Sequence, residues 1–435
     1  MAFKLSTECL NKIIEYLEED KINLYSCLLV NRFWCRISVR ILWMNIWNYE
    51  YNIIYQHETR VATSIFSTLI ACLPNESKET LYKNKIFIST PTPNPPIFNY
   101  VAFFKVLSIN WIYKITRFGL DSNQISQISI TSKEIIKMFI NQLSSLKKLI
   151  YCDYHNGLFN NISFPYKPDY LVDLSELCCS SSINSEFFYQ ISQNCCNLQS
   201  LTIFFENVVS NMLKDLIFLQ KNLKSLNLYL FQVKNCDWTN IIPVFTKHSN
   251  TLTKLHFYGI NYNDLSLSFV AFFSELQDIK FSCIGENFKE LQHVTFPKLQ
   301  ILKILHQCDK PEYIMKFLEN NGKNLKECYF GGSNNELNLS IAKFCPNIKK
   351  LFAKFKHYES DTLITIYNSC QYLESIGSQF EKGTLSEKEV LETITKNSSR
   401  CFHELKIYNY SPSELIPKDL ECYSYFRSST SFIML

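Results

Sequence analysis

Glycine is scarce here, 9 residues in a chain of 435. None of the glycine-built catalytic loops occurs: there is no G-x-G-x-x-G, no P-loop and no G-x-S-x-G. Gly331-Gly332 reads as a turn. An excess of one charge is also missing, with 44 basic against 40 acidic residues and a formal net charge of +4. Such balance implies no strong whole-chain field, so no nucleic-acid partner is expected. No apolar run approaches the roughly 18–20 residues a spanning helix needs, so no membrane partner is expected either. The first residues, MAFKLSTECL, lack the apolar core of a secretory leader. The expectation is a soluble protein of the cytoplasm and/or nucleus, with its 17 cysteines reduced. The doublets Cys178-Cys179 and Cys195-Cys196 lack the usual C-x2-4-C zinc spacing, and no pair among the 8 histidines has H-x3-H spacing. They read as buried core thiols. No metal, cofactor or catalytic residue is expected, and the chain reads as non-enzymatic.

What is plentiful is apolar surface. Hydrophobic residues make up 46% and charged residues 19%, enough for a continuous core. Near the N-terminus, residues 28–43 read LLVNRFWCRISVRILW. At helical spacing, Val30, Trp34, Ile37 and Ile41 form one apolar stripe and Leu28, Cys35, Val39 and Leu42 a second. Arg32, Arg36 and Arg40 stack between them. A membrane-surface or calmodulin-target helix has one apolar face, whereas this one needs packing on two sides. Upstream, Leu10, Ile13, Ile14 and Leu17 recur at helical spacing, with Ser6 or Thr7 able to cap and Glu8 and Glu15 placed toward the positive end. Residues 18–21, EEDK, break the pattern as a turn before Leu24.

This order of residues resembles the F-box, a helical motif of about forty residues. Leu5, Glu8, Leu10, Ile13 and Leu17 match its first helix. Leu24, Leu28, Val30, Arg32 and Trp34 match the second and third, and Leu42-Trp43 matches its closing pair. Ser6 stands where the family usually has proline, and Asn31 where it often has cysteine. The phrase CLLVNRFW with a downstream ILW is similar to fungal members. The resemblance implies docking to the Skp-family adaptor of an SCF ubiquitin ligase and, through it, to cullin. It implies adaptor contacts from Leu5, Ser6, Glu8, Leu10, Ile13, Leu17, Leu24, Leu28, Val30, Trp34, Leu42 and Trp43.

Residues 49–83 read as helical, with Ile65, Leu69 and Leu73 ahead of Pro74. STPTPNPP (89–96) holds four of the 13 prolines and reads as an exposed loop, or alternatively as a Pro-rich ligand. From about residue 100 a pattern L-x-x-L-x-L recurs: LQSLTI (198–203), LKSLNL (223–228), LTKLHF (252–257), LQDIKF (276–281), LQILKI (299–304), LKECYF (325–330), IKKLFA (348–353), LESIGS (373–378) and FHELKI (402–407). Earlier copies fit at FKVLSI (104–109), LKKLIY (146–151) and LVDLSE (171–176). Intervals of 23 to 29 residues are leucine-rich-repeat periods. Helical patterns such as EFFYQISQNC (186–195), PEYIMKFLENNG (311–322) and DTLITIYNSC (361–370) precede the copies. The fold class expected is α/β: an F-box over 1–48, a helical connector with its Pro-rich loop over 49–98, a leucine-rich-repeat solenoid over 99–411, and a tail or cap over 412–435. Parallel strands would line a concave face and helices a convex one.

The outward positions of each copy collect aromatics and lysines: Phe204, Asn227, Tyr229, Lys254, His256, Tyr258, Lys280, Lys303, Tyr329, Phe352, Lys354, Lys406 and Tyr408. They are candidate contacts for an unknown, acidic or phosphorylated target protein. The competing reading is of ordinary exposed strand residues in a Tyr- and Lys-rich chain. An F-box followed by leucine-rich repeats implies a substrate receptor that brings a target to the ligase. The rival expectations are a repeat scaffold outside any ligase and a small-molecule sensor.

Overall fold

A computed structural model describes residues 6–18, 20–47, 55–88, 96–120, 124–152, 168–206, 208–230, 238–259, 266–282, 285–380, 384–397, 399–409 and 431–434. Leu5, most of the Pro-rich stretch and residues 410–430 lie outside them. The chain forms two compact units, Met1–Phe204 with Val208–Lys221, and Phe205–Asn207 with Asn222–Leu435.

Unit one opens with α1 (Thr7–Glu15), α2 (Lys21–Leu28) and α3 (Arg32–Met44). The stretch expected as one helix over 28–43 is therefore split. Asn31 divides it, its Oδ1 accepting the backbone N–H groups of Phe33 and Trp34 at 2.9 and 3.0 Å. A side chain that satisfies two of the orphan donors starts a new helix there. Leu28 and Val30 thus sit ahead of α3 and belong to neither stripe. Ser6 does cap α1, its Oγ accepting from Cys9 N–H at 3.2 Å. Glu15 lies at the other end of that helix, paired with Lys12 at 2.9 Å.

Both stripes of α3 end in the chain's own core. Ile37, Val39, Ile41, Leu42 and Trp43 are all buried. The Trp43 ring lies 4.5 Å from Tyr100 and 5.8 Å from Phe104, and Trp47 lies 5.4 Å from Phe104. Trp47 Nε1 donates to Val106 O at 2.9 Å, and Lys105 N–H donates to Met44 O at 2.9 Å. The helical segment is thereby sewn onto the first strand of the repeats. Helices α4 (Tyr55–Cys72) and α5 (Asn75–Lys83) follow where helix was expected, with Leu69 fully buried.

The repeats of unit one supply β1 (Val106–Ser108), β2 (Lys148–Tyr151), β3 (Glu176–Ser180) and β4 (Ser200–Phe204), each parallel to the next. Leu107, Leu149, Leu177 and Leu201 are partners in register and form one buried row. The third copy is therefore framed by Leu174 and Leu177, three residues later than LVDLSE. Leu174 is buried, and Cys179 occupies the last apolar position.

Unit two carries β5 (Ser225–Leu230), β6 (Lys254–Gly259), β7 (Asp278–Phe281), β8 (Ile301–Ile304), β9 (Glu327–Phe330), β10 (Lys350–Phe352), β11 (Ser375–Phe380), β12 (Glu404–Asn409) and β13 (Ser431–Met434). All neighbours pair in parallel. Its buried row runs Leu226, Leu255, Ile279, Leu302, Cys328, Leu351, Ile376 and Leu405. Burial alternates along the strands, so one face packs on the core and the other is half-exposed. Each unit is a run of leucine-rich-repeat solenoid, an α/β fold with a parallel sheet.

Helices α6 (Pro311–Asn321) and α7 (Ser360–Ser369) lie where the sequence places them. Two connections differ from the expected helix-before-strand pattern. The copies at 276 and 299 are preceded by 3-10 turns, Ser268–Phe272 and Glu286–Glu290. Phe288 and Leu291 are the buried pair of the second, three residues apart, which suits a three-residue turn. Rings fill the space a longer helix would occupy: Phe288 lies 5.8 Å from Phe281 and 5.4 Å from Phe317, and Phe317 lies 5.9 Å from Phe296. Buried amides join successive repeats. Asn321 Oδ1 accepts from Phe296 N–H at 2.7 Å while its Nδ2 donates to Val294 O and Phe317 O. Gln220 does the same in unit one, accepting from Leu198 N–H at 2.8 Å and donating to Cys195 O and Leu216 O.

Candidate docking surfaces

The first candidate surface is on the helices of unit one, and the structure divides the twelve residues singled out there. Leu10, Leu24, Leu42 and Trp43 are buried in the chain's own core, so they support the surface from beneath. Leu17, Leu28 and Trp34 are half-buried. Ser6, Glu8, Ile13 and Val30 are exposed. Leu5 is outside the described residues. The larger exposed side chains were not singled out at all. Tyr16 is 89% exposed, Ile22 81% and Leu29 78%, with Tyr25 and Phe33 also open.

Ile22 and Tyr25 lie on α2, where Leu24 and Cys27 take the buried side. The helix starts at Asp20, whose carboxylate accepts from Asn23 N–H at 3.1 Å. Helix α2 is apolar on opposite sides, and its inward side is already filled by α3 and its neighbours. The sequence signal existed: Ile22, Tyr25 and Leu29 recur at three and four out of phase with Leu24 and Leu28. Nothing in the spacing said which phase faces in.

The second candidate surface is the half-exposed face of unit two. Registered pairing places Asn227, His256, Lys280, Lys303, Tyr329, Phe352, Gly377 and Lys406 in one row across β5 to β12. A parallel row two residues earlier contains Lys254, Asp278, Glu327, Lys350 and Glu404. Tyr229 and Tyr258 are partners on the other side. Their rings stack at 4.3 Å and 9°. Lys280 Nζ lies 5.1 Å from the Tyr258 ring centre.

Farther along, Tyr329 and Phe352 stack at 4.1 Å and 7°, and Phe352 meets Tyr408 edge-on at 5.5 Å. Gly377 makes room for this: a Cβ there would meet Phe352 Cδ2 at 2.9 Å. Phe352 is consequently buried to 8% exposure, which makes it a support for its neighbours and takes it off the contact surface. Lys303 is paired with Glu327 at 2.6 Å and Lys406 with Glu404 at 3.3 Å, so these two cations are already neutralised. His256 Nε2 approaches Asp278 Oδ2 at 3.3 Å without hydrogen-bond geometry. Lys354 lies just past β10, half-buried. Phe204, on β4, belongs to unit one and is half-buried there.

Most of the repeat thiols are core, but Cys196, expected to be buried, is not, because it follows the end of its helix and faces out. Cys179, Cys195, Cys328, Cys345 and Cys370 are buried, while Cys178 is half-buried and Cys196 exposed. Burial pushes the Cys195 thiol up to about 11 and Cys370 up to about 12, and raises Cys179 and Cys328 as well. Protonated thiols are poor nucleophiles. Among the described residues no three His, Cys, Asp or Glu side chains are grouped to hold a metal, and no helix is long and apolar enough to cross a membrane.

No family model matches the chain, and no curated protein matches it. Solved structures do. A chain of the yeast Rad7 and Elc1 complex is similar over 100% of this chain and 98% of that one, at 10% identity and a TM-score of 0.41. A leucine-rich-repeat protein of Leptospira interrogans is similar over 70% of this chain and 91% of that one, at 11% identity and a TM-score of 0.23. An internalin of Listeria monocytogenes is similar over 69% of this chain and 75% of that one, at 12% identity and a TM-score of 0.27. At such identities and scores these likenesses say nothing of function.

Proposed function

We propose that this chain is the substrate-recognition subunit of an SCF-type ubiquitin ligase, working in the cytoplasm or nucleus. Its N-terminal helices dock to a Skp-family adaptor, and so to cullin, while its repeats hold the protein to be modified. The chain itself performs no catalysis in this reading. It raises the local concentration of target at a catalytic centre carried by other subunits. The observation that carries the reading is the set of large apolar side chains left open at the end of α1, on α2, in the turn before α3 and in its first turn: Tyr16, Ile22, Tyr25, Leu29 and Phe33. Exposed apolar groups gathered on so short a stretch mark an interaction site. They occur within the segment that resembles an F-box.

The structure also dictates how to test it. Leu10→Asp would place a charge in the core, because Leu10 is buried. Ile22→Asp combined with Leu29→Asp alters only exposed positions. The expected outcome is capture of a Skp-family adaptor by the wild-type chain and at least a tenfold loss with the double variant, at unchanged circular dichroism. Tyr372→Asp, on an exposed site in unit two, serves as the control. A wild-type chain that captures no adaptor leaves the second reading, a leucine-rich-repeat scaffold outside any ligase.

A further inference from the structure

We propose that the half-exposed face of unit two takes an extended acidic segment of another protein, seated on the Tyr229–Tyr258–Lys280 stack. The proposal deepens the receptor reading by naming the target's chemistry, yet it needs no ligase to be true. Within the strands from β6 to β12, Lys254, Lys280, Lys303, Lys350 and Lys406 face Asp278, Glu327 and Glu404. Two of the carboxylates are paired, Glu327 with Lys303 and Glu404 with Lys406 and the hydroxyl of Ser375, while Asp278 has only His256 beside it. Lys254, Lys280 and Lys350 have no carboxylate within ion-pair distance among the described residues. Five lysines against three carboxylates leave these rows with a net positive charge, and the lysines without a close carboxylate are Lys254, Lys280 and Lys350.

Two further features favour a protein segment. The aromatic rings are preorganised, since stacking already fixes Tyr229 against Tyr258 and Tyr329 against Phe352. Binding on them costs little side-chain entropy. Asp278, Glu327 and Glu404 stand between the lysines, and a phosphate backbone, charged at every nucleotide, cannot skip them. A polypeptide can place acidic side chains on the lysines and apolar ones on the rings. Lys254 on β6 and Lys350 on β10 are four strands apart, about 19 Å at the usual strand spacing. An extended chain covers that distance in about six residues.

The test is selection of a random dodecapeptide phage library on the full chain and on Lys280→Glu and Lys350→Glu variants. The expected result is a wild-type pool enriched in Asp and Glu together with aromatic or aliphatic residues. Peptides from that pool should bind about tenfold more weakly to each variant and to Tyr258→Ser, and should weaken with added salt. Lys316→Glu, which alters a helical lysine paired with Glu319, should leave binding unchanged. A pool with no acidic enrichment, or one that binds the variants as well as the wild type, overturns the proposal. So does a labelled oligothymidylate that binds the wild-type chain more tightly than any selected peptide. The same variants should capture adaptor normally, which separates failure here from failure of the ligase reading.

Discussion

Single residues explain where the N-terminal segment departs from the family it resembles. Ser6 and Asn31 replace a usual proline and a frequent cysteine, and both serve as helix N-caps. Asn31 is the stronger cap, with two backbone N–H groups on one oxygen. Asn31→Ala should cost about 1 kcal/mol locally. The check is faster amide hydrogen exchange in the first turn of α3, with the repeats unaffected. On the second surface, Glu404 titrates below the ordinary carboxylate range, mainly because the Ser375 hydroxyl donates to it at 2.6 Å and then because of Lys406. A carboxyl depressed on folding contributes stability above its unfolded pKa and loses it as pH falls through the folded value. The last repeats should therefore weaken in acid, and Ser375→Ala should shrink that acid-side loss. Thermal melts of the two proteins between about pH 6 and pH 3 would reveal it as a smaller shift for the variant.

At the scale of elements, the repeats depend on what joins one to the next. The side chain of Asn321 is buried and makes three hydrogen bonds to backbone groups around it. Asn321→Leu keeps the branched shape but leaves Phe296 N–H unpaired, at a cost of about 1–3 kcal/mol. Urea unfolding followed by tyrosine and tryptophan fluorescence should show an earlier transition. Gly377→Leu should act differently, by driving the Phe352 ring out of its stack. Near-ultraviolet circular dichroism should lose aromatic signal there while far-ultraviolet signal persists.

The strand repeats were legible in the sequence because a period of two within each strand and about 25 residues between strands leaves few other arrangements. The connections at 268–272 and 286–290 were less legible. Their few apolar residues fit a 3-10 turn as well as an α-helix, and packing distinguishes them: Phe288 against Phe281 and Phe317 at the second, Phe269 against Phe273 at the first.

For the molecule as a whole, the proposed function rests on two faces, one in each unit. Adaptor capture should respond to Ile22 and Leu29, and peptide selection to Lys280 and Lys350, with no crossover between the two assays. The sequence by itself determined the α/β class, the parallel strands, the buried leucine rows and the helices of the N-terminal segment, because periodicity reports which positions share a side. Only the tertiary structure decided which apolar side of α2 is covered, which lysines are already paired and which ring is buried. Those depend on neighbours far along the chain, such as Tyr100 against Trp43 or Gly377 beneath Phe352. Spacing establishes that a face is apolar or charged; what lies against it is settled by packing.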